Sequence, residues 1–467
     1  MPKTLNESNS VITTENCQVN ISALLDILGD IDILIRGSHL VLLFSNNNLS
    51  SVGVYLLADK YHVPIIIIND QVSLASKLEL ISTYRPSLIA STINFNLGRA
   101  TFTEHVFDKL FENLYIHQTK DCVSVHKDLM LLLSTSGSTG SPKLVKLSRE
   151  NVYSNSDAIL SYLPIFEEDK CLLNLPISYS YGISILNTHL LKNATIYLTN
   201  ESFLSNKLWD ILSTLKVNSL AGVPEMIKML KFIKLENRSA VLNNLKYVTQ
   251  AGGKLDIGLR SYFNAFFAKN SIEFYVMYGQ TEATARMSFL SPDCFSSKIA
   301  SVGRPIPGGS FEILGNQKNK EGYFEGEIIY KGRNVMLGYA SNYSELSFGD
   351  ELNGVLHTGD LGYLDSDGYL YITGRKKRIV KVSGNRISLD HLESRLSSQS
   401  IQNAIINIDD KINIFIKDKS DEIKVTKELN SLGIGKNNMR VVVVKKFPLN
   451  SNGKVNYLEL SVTNDAE

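Results

Sequence analysis

Short apolar runs alternate with segments of helical apolar spacing through the first half of this chain. Residues 40–44 and 63–68 are typical of buried strands, and residues 51–61 between them have the spacing of a helix. The alternation continues with strand-like runs at 87–90, 194–198, 219–222 and 247–251 and helical stretches at 208–216 and 224–232. Strands that alternate with helices predict layered α/β subdomains with largely parallel sheets.

The pattern of strand-like and helix-like segments changes at two later points in the sequence. From about Ser301, Gly/Pro turns and short strands predict a β-rich subdomain. A basic segment, GRKKR, follows at residues 374–378, and beyond it one helix after Ser388, a hairpin around Asp409 and Asp410, a second helix and a last strand predict a small α+β unit. We therefore predict a large N-terminal body at residues 1–374 and a C-terminal domain at residues 375–467, joined at a basic hinge.

Composition excludes several classes of function. A net charge of +1 offers no basic face for nucleic acid or an anionic membrane, so we predict no nucleic-acid partner. The longest apolar runs are too short for a membrane span, and the polar N-terminus has no secretory signal. The 4 cysteines lie far apart, as reduced structural thiols do. These features predict a cytoplasmic protein.

The run STSGSTGSPK, from Ser134 to Lys143, follows the apolar residues 129–133 and precedes a second strand-like segment at residues 144–147. Free backbone N–H groups, hydroxyls and one ammonium are what a polyphosphate needs. A flexible Gly/Ser hairpin or linker is the alternative interpretation. The GxxxxGK[ST] loop of P-loop NTPases would need a helix directly after its lysine, and neither letters nor context fit it.

Two more segments follow strand-like runs. TQAGGKL, at residues 249–255, places two glycines where a planar ligand would lie on bare backbone, although a strand-to-helix turn also requires glycine. MYGQTEAT, at residues 277–284, offers an aromatic face, a hydroxyl and a carboxylate within one turn. Stacking, phosphate contact and Mg²⁺ ligation need those three groups, and a capped helix start is the alternative.

Asp360 and Lys454 occur in two further motifs. Asp360 stands between glycines in LHTGDLGYLDSDGYLYITGR, at residues 356–375, where a carboxylate can accept both hydroxyls of a ribose; an Asp that closes a β-turn is the alternative. Lys454 is part of NSNGKVN, at residues 450–456. Taken alone, such a lysine is a solvated surface residue.

In this order and spacing, the motifs resemble those of the adenylate-forming superfamily of acyl-CoA synthetases, nonribosomal-peptide adenylation domains and luciferases, over residues 41–460. YGQTEAT matches the family's YGxTE motif, whereas Leu144 stands where a glycine commonly follows the loop lysine. The resemblance implies that the C-terminal domain is mobile and that Lys377 is the hinge.

The resemblance also implies ATP and Mg²⁺ as cofactors and a role for each matching residue. The phosphates of ATP would contact the loop formed by Thr135, Ser136, Gly137, Ser138, Thr139, Gly140 and Lys143. The rest of the nucleotide would contact Gly252, Gly253, Tyr278, Gly279, Gln280, Thr281, Asp360, Arg375 and Lys454. In this assignment Glu282 holds Mg²⁺, Thr281 touches the α-phosphate, and Lys454 bridges that phosphate and the substrate carboxylate.

The implied reaction has two halves. A small carboxylic acid attacks the α-phosphorus of MgATP to give an acyl-adenylate and pyrophosphate, and a thiol of coenzyme A or of a phosphopantetheinylated carrier protein then displaces AMP. In the second half the C-terminal domain swings and brings the loop at residues 381–385 toward the thiol, with Gly384 at the close approach.

The acid itself would lie against LPISYSYGIS, at residues 175–184. Tyr179, Ser180, Val223 and Met277 are the predicted acyl-pocket residues. Ser180 stands where amino-acid adenylation domains have an aspartate, and without that carboxylate an ammonium would be poorly neutralised in a buried pocket. We therefore predict an acid without a free α-amine.

Three alternatives stay open at this point. They are a stand-alone amino-acid adenylation enzyme, a non-catalytic homologue that binds nucleotide, and a P-loop kinase or ATPase. The products distinguish the reactions, because adenylation releases AMP and pyrophosphate whereas a kinase releases ADP.

Overall fold

A computed structural model describes residues 4–15, 17–95, 103–108, 113–135, 143–382, 385–408, 411–431, 434–435, 438–449 and 455–462. The first elements are β1 (Val11–Thr13), β2 (Gln18–Asn20), α1 (Ile21–Ile27), α2 (Gly29–Arg36), β3 (Val41–Ser45), α3 (Leu49–Lys60), β4 (Ile65–Asn69), α4 (Leu74–Tyr84), β5 (Leu88–Ser91), β6 (Thr103–Asp108), β7 (Asn113–Gln118), β8 (Leu129–Ser134), β9 (Leu144–Ser148) and α5 (Arg149–Leu160). Among them are the predicted strands near residues 40–44 and 63–68 and the helix between these strands, so the sequence periodicity is confirmed.

The body continues with a second run of alternating elements and then with longer strands. The alternating elements are β10 (Lys170–Leu173), α6 (Ser180–Leu191), β11 (Thr195–Leu198), α7 (Asn206–Leu215), β12 (Ser219–Gly222), α8 (Pro224–Phe232), α9 (Ser239–Leu242), β13 (Tyr247–Gln250), α10 (Ile257–Lys269), β14 (Glu273–Tyr278), β15 (Ser288–Leu290) and β16 (Arg304–Pro305). The longer strands and their neighbours are β17 (Gly309–Lys318), β18 (Phe324–Gly332), β19 (Gly338–Ala340), β20 (Val355–Leu364) and β21 (Leu370–Arg375).

Two large sheets carry most of these strands. Over the described residues, the first has the order β16-β15-β14-β13-β12-β10-β11-β1-β2, and its strands from β14 to β1 run parallel. The second has the order β19-β9-β8-β4-β3-β5-β7-β6. The prediction of largely parallel sheets is confirmed for the first sheet. In the second sheet it is correct for the central strands β8, β4, β3 and β5 and wrong for β19, β9, β7 and β6, which pair antiparallel. For β9 and β6 the reason is that each pairs with its neighbour in the sequence, β8 and β7 respectively, and consecutive strands joined by a short connection pair antiparallel.

The predicted β-rich subdomain is an antiparallel sheet with the order β17-β18-β20-β21. Within it, the backbone N–H of Gly368 donates to the carbonyl of Asp365, 3.0 Å away, which closes the turn between β20 and β21. Asp360 lies before that turn, inside β20, where it pairs with Arg375 of β21. The β-turn alternative for Asp360 is therefore wrong.

After the short 3₁₀ turn Lys376–Arg378 come β22 (Ile379–Val382), β23 (Asn385–Ser388), α11 (Leu389–Ser398), β24 (Asn403–Ile408), β25 (Lys411–Ile416), α12 (Glu422–Ser431), β26 (Met439–Val443) and α13 (Tyr457–Val462). β24 and β25 form the predicted hairpin, and β26 joins β25 in parallel. Leu389, Leu392 and Leu396 of α11 pack on Ile405 and Ile414 of this sheet. The buried hydrophobic residues beyond Arg378 thus pack with one another, in clusters distinct from those of the body.

Within the described part of the chain, every helix is too short or too polar to cross a membrane.

Candidate active site

The carboxyl ends of β10, β12, β13 and β14 lie along one edge of the first sheet. The register pairs Gly222 with Gln250, and Gln250 with Val276, so the segments that follow these parallel strands emerge side by side. Those segments carry the predicted residues Tyr179, Ser180, Val223, Gly252, Gly253, Gly279, Gln280, Thr281 and Glu282, with Met277 and Tyr278 at the end of β14. Most of the predicted site therefore converges at this edge, which is where ligands bind in open α/β sheets.

Asp360 is buried, and three donors surround its carboxylate. The Tyr278 hydroxyl donates to Oδ2 at 2.6 Å, and the Gln280 side-chain amide donates to the same oxygen at 2.7 Å. Arg375, paired with Asp360 across β20 and β21, places its Nε 3.4 Å from Oδ1. Burial and the adjacent Asp360 charge raise the pKa of Tyr278 well above its usual range, so Tyr278 remains a hydroxyl donor. These three side chains thus fix the position of the Asp360 carboxylate.

Thr281 and Glu282 lie in the 3₁₀ turn Thr281–Ala283. The Thr281 hydroxyl donates to the Ser180 hydroxyl at 3.3 Å, which joins this turn to the first residue of α6. The Tyr339 hydroxyl donates to Oε1 of Glu282 at 2.8 Å. Tyr339 belongs to β19 of the second sheet, so Glu282 is positioned by a residue of the other layer.

Lys143 also contacts Tyr339. Its ammonium is 3.6 Å from the centroid of the Tyr339 ring, which is a cation–π distance. Register explains the contact, because Tyr339 pairs with Val145 and Lys143 precedes β9 by one residue. Lys143, Tyr339 and Glu282 therefore form one chain of contacts, while Thr135 follows directly after β8.

Two glycines bring backbone close to this edge. Gly252 has a φ of +83°, and a Cβ at this position would collide with the Tyr179 hydroxyl. A Cβ on Gly279 would collide with the carbonyl oxygen of Ala285. A side chain at either position would therefore push these turns apart.

The predicted acyl-pocket residues are close to one another and mostly buried. Tyr179 precedes α6, and burial raises its pKa to about 12. Its ring centroid lies 6.3 Å from that of Tyr181, whose hydroxyl is 2.8 Å from the Thr249 hydroxyl on β13. Val223 and Met277 are both buried.

Lys377 lies between Lys376, which contacts the body, and Arg378, which contacts the C-terminal unit. Lys376 donates to Oε2 of Glu327 on β18 of the body, at 2.9 Å. Arg378 forms ion pairs with Asp390 and Glu393 of α11, each at 2.8 Å. The backbone from residue 376 to residue 378 therefore passes from a body anchor to an anchor in the C-terminal unit.

Several predicted residues lie outside the described residues. They are Ser136, Gly137, Ser138, Thr139 and Gly140 of the glycine loop, Gly384, and Lys454. Their assignments remain predictions from the sequence.

Two further residues at this edge, Tyr339 and Arg286, are not among those predicted from the motifs. Arg286 is buried beside Tyr181 and Met277. Both belong to segments that carry no separate motif, and each reaches its partners through the tertiary fold. An arginine a few residues after MYGQTEAT was the only available signal for Arg286.

A layered α/β body with Gly-rich turns at the carboxyl ends of its parallel strands belongs to the class of α/β proteins that bind ligands at that edge. Residues 59–340 match the model of the AMP-binding enzyme family. The chain belongs to that family.

Curated relatives agree with this membership. The chain is 31% identical over 269 residues to the 2-succinylbenzoate–CoA ligase of Bacillus subtilis, covering 57% of this chain and 53% of the relative. The corresponding enzyme of Bacillus licheniformis is 26% identical over 361 residues, covering 75% and 72%. The chain spans about half the length of the curated relatives that it matches at 30–31% identity.

Two structures show the likeness in fold. O-succinylbenzoate coenzyme A synthetase of Bacillus subtilis in complex with AMP has a TM-score of 0.76 at 21% identity, covering 97% of this chain and 95% of the other. ATP-bound MatB of Rhodopseudomonas palustris has a TM-score of 0.75 at 18% identity, covering 99% of each chain. The predicted α/β fold with a body and a smaller C-terminal unit is confirmed.

Proposed function

We propose that this protein uses ATP to activate a small carboxylic acid as an acyl-adenylate and then transfers the acyl group to a thiol. The observation that carries the proposal is the Asp360 carboxylate, held by Tyr278, Gln280 and Arg375 at the strand-end edge of an AMP-binding family fold. Coenzyme A is the favoured acceptor, because the curated relatives are named CoA ligases. A carrier protein is the other acceptor to test.

In this proposal the nucleotide lies across the ends of β13 and β14 and the middle of β20. Asp360 accepts the ribose hydroxyls, Tyr278 lies against the adenine, and Gly252 and Gly253 leave room for its plane. Thr281 contacts the α-phosphate, while Thr135, Lys143 and the glycine loop contact the outer phosphates. Supporting this arrangement, the described members of the set surround one edge of the sheet.

Glu282 is the proposed Mg²⁺ ligand. No cluster of three or more metal-ligating side chains occurs in the described ranges, so a purely protein-built metal site does not fit them. A nucleotide-bound Mg²⁺ fits, because such an ion takes one or two carboxylates and completes its shell with phosphate oxygens and water. When bound, the ion would neutralise phosphate charge during adenylation. Tyr339 would orient the carboxylate that holds it.

The same proposal divides the chain at the 3₁₀ turn Lys376–Arg378. The body at 1–374 would bind ATP and the acid, and the domain at 375–467 would carry Lys454 to the reaction and then turn about Lys377 to admit the thiol. The separate hydrophobic clusters and the two anchors that flank Lys377 support this division. A cytoplasmic location is also proposed, supported by the 4 free cysteines.

ATP–pyrophosphate exchange across a panel of carboxylic acids tests the function. We expect exchange with acids that lack an α-amine and weaker exchange with the matching amino acids, because Ser180 provides no charge for an ammonium. AMP and pyrophosphate are the expected products, and thioester should form when coenzyme A is added. Release of ADP, or strong exchange with one standard amino acid and no simple acid, would contradict the proposal.

Asp360→Asn is expected to raise the dissociation constant of ATP by about 10- to 100-fold, measured by calorimetry. Each hydrogen bond to a charged acceptor is worth about 1.5–3 kcal/mol, and about 1.4 kcal/mol corresponds to a tenfold change. Because Asp360 is buried and accepts from Tyr278, Asp360→Ala should also lower the free energy of unfolding, by about 1–3 kcal/mol. An unchanged ATP affinity in a folded Asp360→Asn protein would reduce Asp360 to a structural residue.

A further inference from the structure

Arg286 is a buried arginine whose charge has no counter-ion among the described residues. Only 2% of its surface is exposed. Its Nε donates to the Met277 sulfur at 3.2 Å, and its guanidinium carbon lies 4.0 Å from the centroid of the Tyr181 ring. Arg286 also forms a hydrogen bond with the Tyr162 hydroxyl. A thioether is a weak acceptor and a phenol is uncharged, so these contacts hold the side chain in position without neutralising its charge.

Arg260 provides a comparison inside the same protein. It is 3% exposed, and its guanidinium donates to the backbone carbonyls of Leu255, Ile299 and Ser301 at 2.8–3.1 Å. Arg260 thus has the acceptors that a structural buried arginine requires. Arg286 has the Met277 sulfur, the Tyr162 hydroxyl and an aromatic face instead, and none of these groups carries a charge. A buried charge without a counter-ion is costly unless a partner arrives.

A small cavity lies beside Arg286, and its lining is partly polar. Ser184, Thr188 and His189 of α6 and Tyr247 and Thr249 of β13 contribute to it. Burial lowers the pKa of His189 to about 4, so this imidazole is neutral at pH 7. In the described part of the lining, Arg286 is therefore the charged group.

The cavity adjoins the proposed acyl pocket. Met277, a predicted pocket residue, contacts Arg286 directly, and Tyr181 lies between Arg286 and Tyr179. Ser180 and Thr281, whose hydroxyls are 3.3 Å apart, begin the two segments that also carry Tyr181 and Arg286. An acid with its reacting carboxylate near Thr281 would thus extend its other end toward Arg286.

We propose that Arg286 binds a second carboxylate, on the far end of the acid substrate, so that the enzyme selects a small dicarboxylic acid. This inference rests on the proposed acyl-activating function. A planar guanidinium pairs with a carboxylate through two parallel hydrogen bonds, which gives orientation as well as charge neutralisation. The same cation repels an ammonium, in agreement with the expected poor use of amino acids.

Matched acids test the proposal in pyrophosphate exchange. Succinic, glutaric and phthalic acids are each compared with the mono-amide and with the monocarboxylic analogue of similar size. For at least one of the three, wild-type protein should prefer the dicarboxylate by about 100-fold in kcat/KM, because an arginine site rejects analogues that leave it unpaired. Arg286→Met should abolish that preference, and Arg286→Lys should retain part of it.

Two controls separate selectivity from folding and from nucleotide binding. Arg286→Met should bind ATP with wild-type affinity and should not melt at a lower temperature, because it removes an unpaired buried charge. Equal losses for all acids in Arg286→Met, or a wild-type preference for the monocarboxylates, would assign Arg286 a structural role and overturn the inference. Normal ATP binding with no exchange for any acid would instead overturn the acyl-activating function, and this inference with it.

Discussion

Lys454→Ala is expected to reduce ATP–pyrophosphate exchange by about 1,000-fold or more, because positioned charge on a developing oxyanion supplies an effect of that size. The substrate carboxylate and the α-phosphate are both anions, and Lys454 is the proposed cation that joins them. The second half-reaction has no such encounter of anions. A pre-made acyl-adenylate should therefore still be converted to thioester at close to the wild-type rate.

The matched control for this variant is Lys446→Ala. Lys446 is an exposed lysine of the same domain, a few residues before Leu449, which pairs with Val455 across the Lys454 segment. We expect normal exchange from it. A bulky residue at Gly384 should produce the reverse of Lys454→Ala, with exchange retained and thioester formation blocked. If Lys454→Ala slowed both halves equally, the domain-turning proposal would lose its main support.

Glu282→Gln is expected to lower the rate of adenylation by at least about 100-fold at low Mg²⁺, since a metal ligand loses its charge while its shape is kept. Higher Mg²⁺ should restore part of the activity. Tyr339→Phe, which removes only the hydroxyl that donates to Glu282, should cost about 10-fold, the lower end for groups that orient a metal ligand.

The measurement is the Mg²⁺ dependence of AMP formation in each variant. Glu225→Gln is the matched control, because Glu225 is an exposed glutamate that pairs with Lys228 on α8. It should follow the wild-type curve. A Glu282→Gln protein with the wild-type Mg²⁺ dependence would remove Glu282 from the proposed metal site.

The fold was largely predictable because its strands and helices are local patterns. A strand buried on both faces, such as β3 or β4, is a continuous apolar run, and every residue of β3 is indeed buried. The parallel direction of neighbouring strands is harder to infer, because it depends on the path of the chain between them. The hairpin of β8 and β9 shows this, since the same apolar run would fit either direction.

The site was predictable only where a motif carries it. Asp360, Tyr278 and Gln280 belong to two motifs, and the fold brings their side chains together across 80 residues or more. Their mutual hydrogen bonds were not foreseen, because motif spacing says nothing about side-chain donors. Arg286 and Tyr339 were missed for a related reason: an arginine or a tyrosine becomes informative only when its burial and neighbours are known.

The two anchors beside Lys377 respond differently to the solvent. Lys376 is 63% exposed in its pair with Glu327, so dissolved ions screen that contact readily. The Arg378 side chain is only 15% exposed and is enclosed by Asp390, Glu393 and the Tyr457 ring, so added salt weakens its contacts far less. A rise in ionic strength would therefore weaken the Lys376–Glu327 pair, which holds this segment to the body, more than the Arg378 pairs. The segment would then detach from the body while it stays attached to the C-terminal unit.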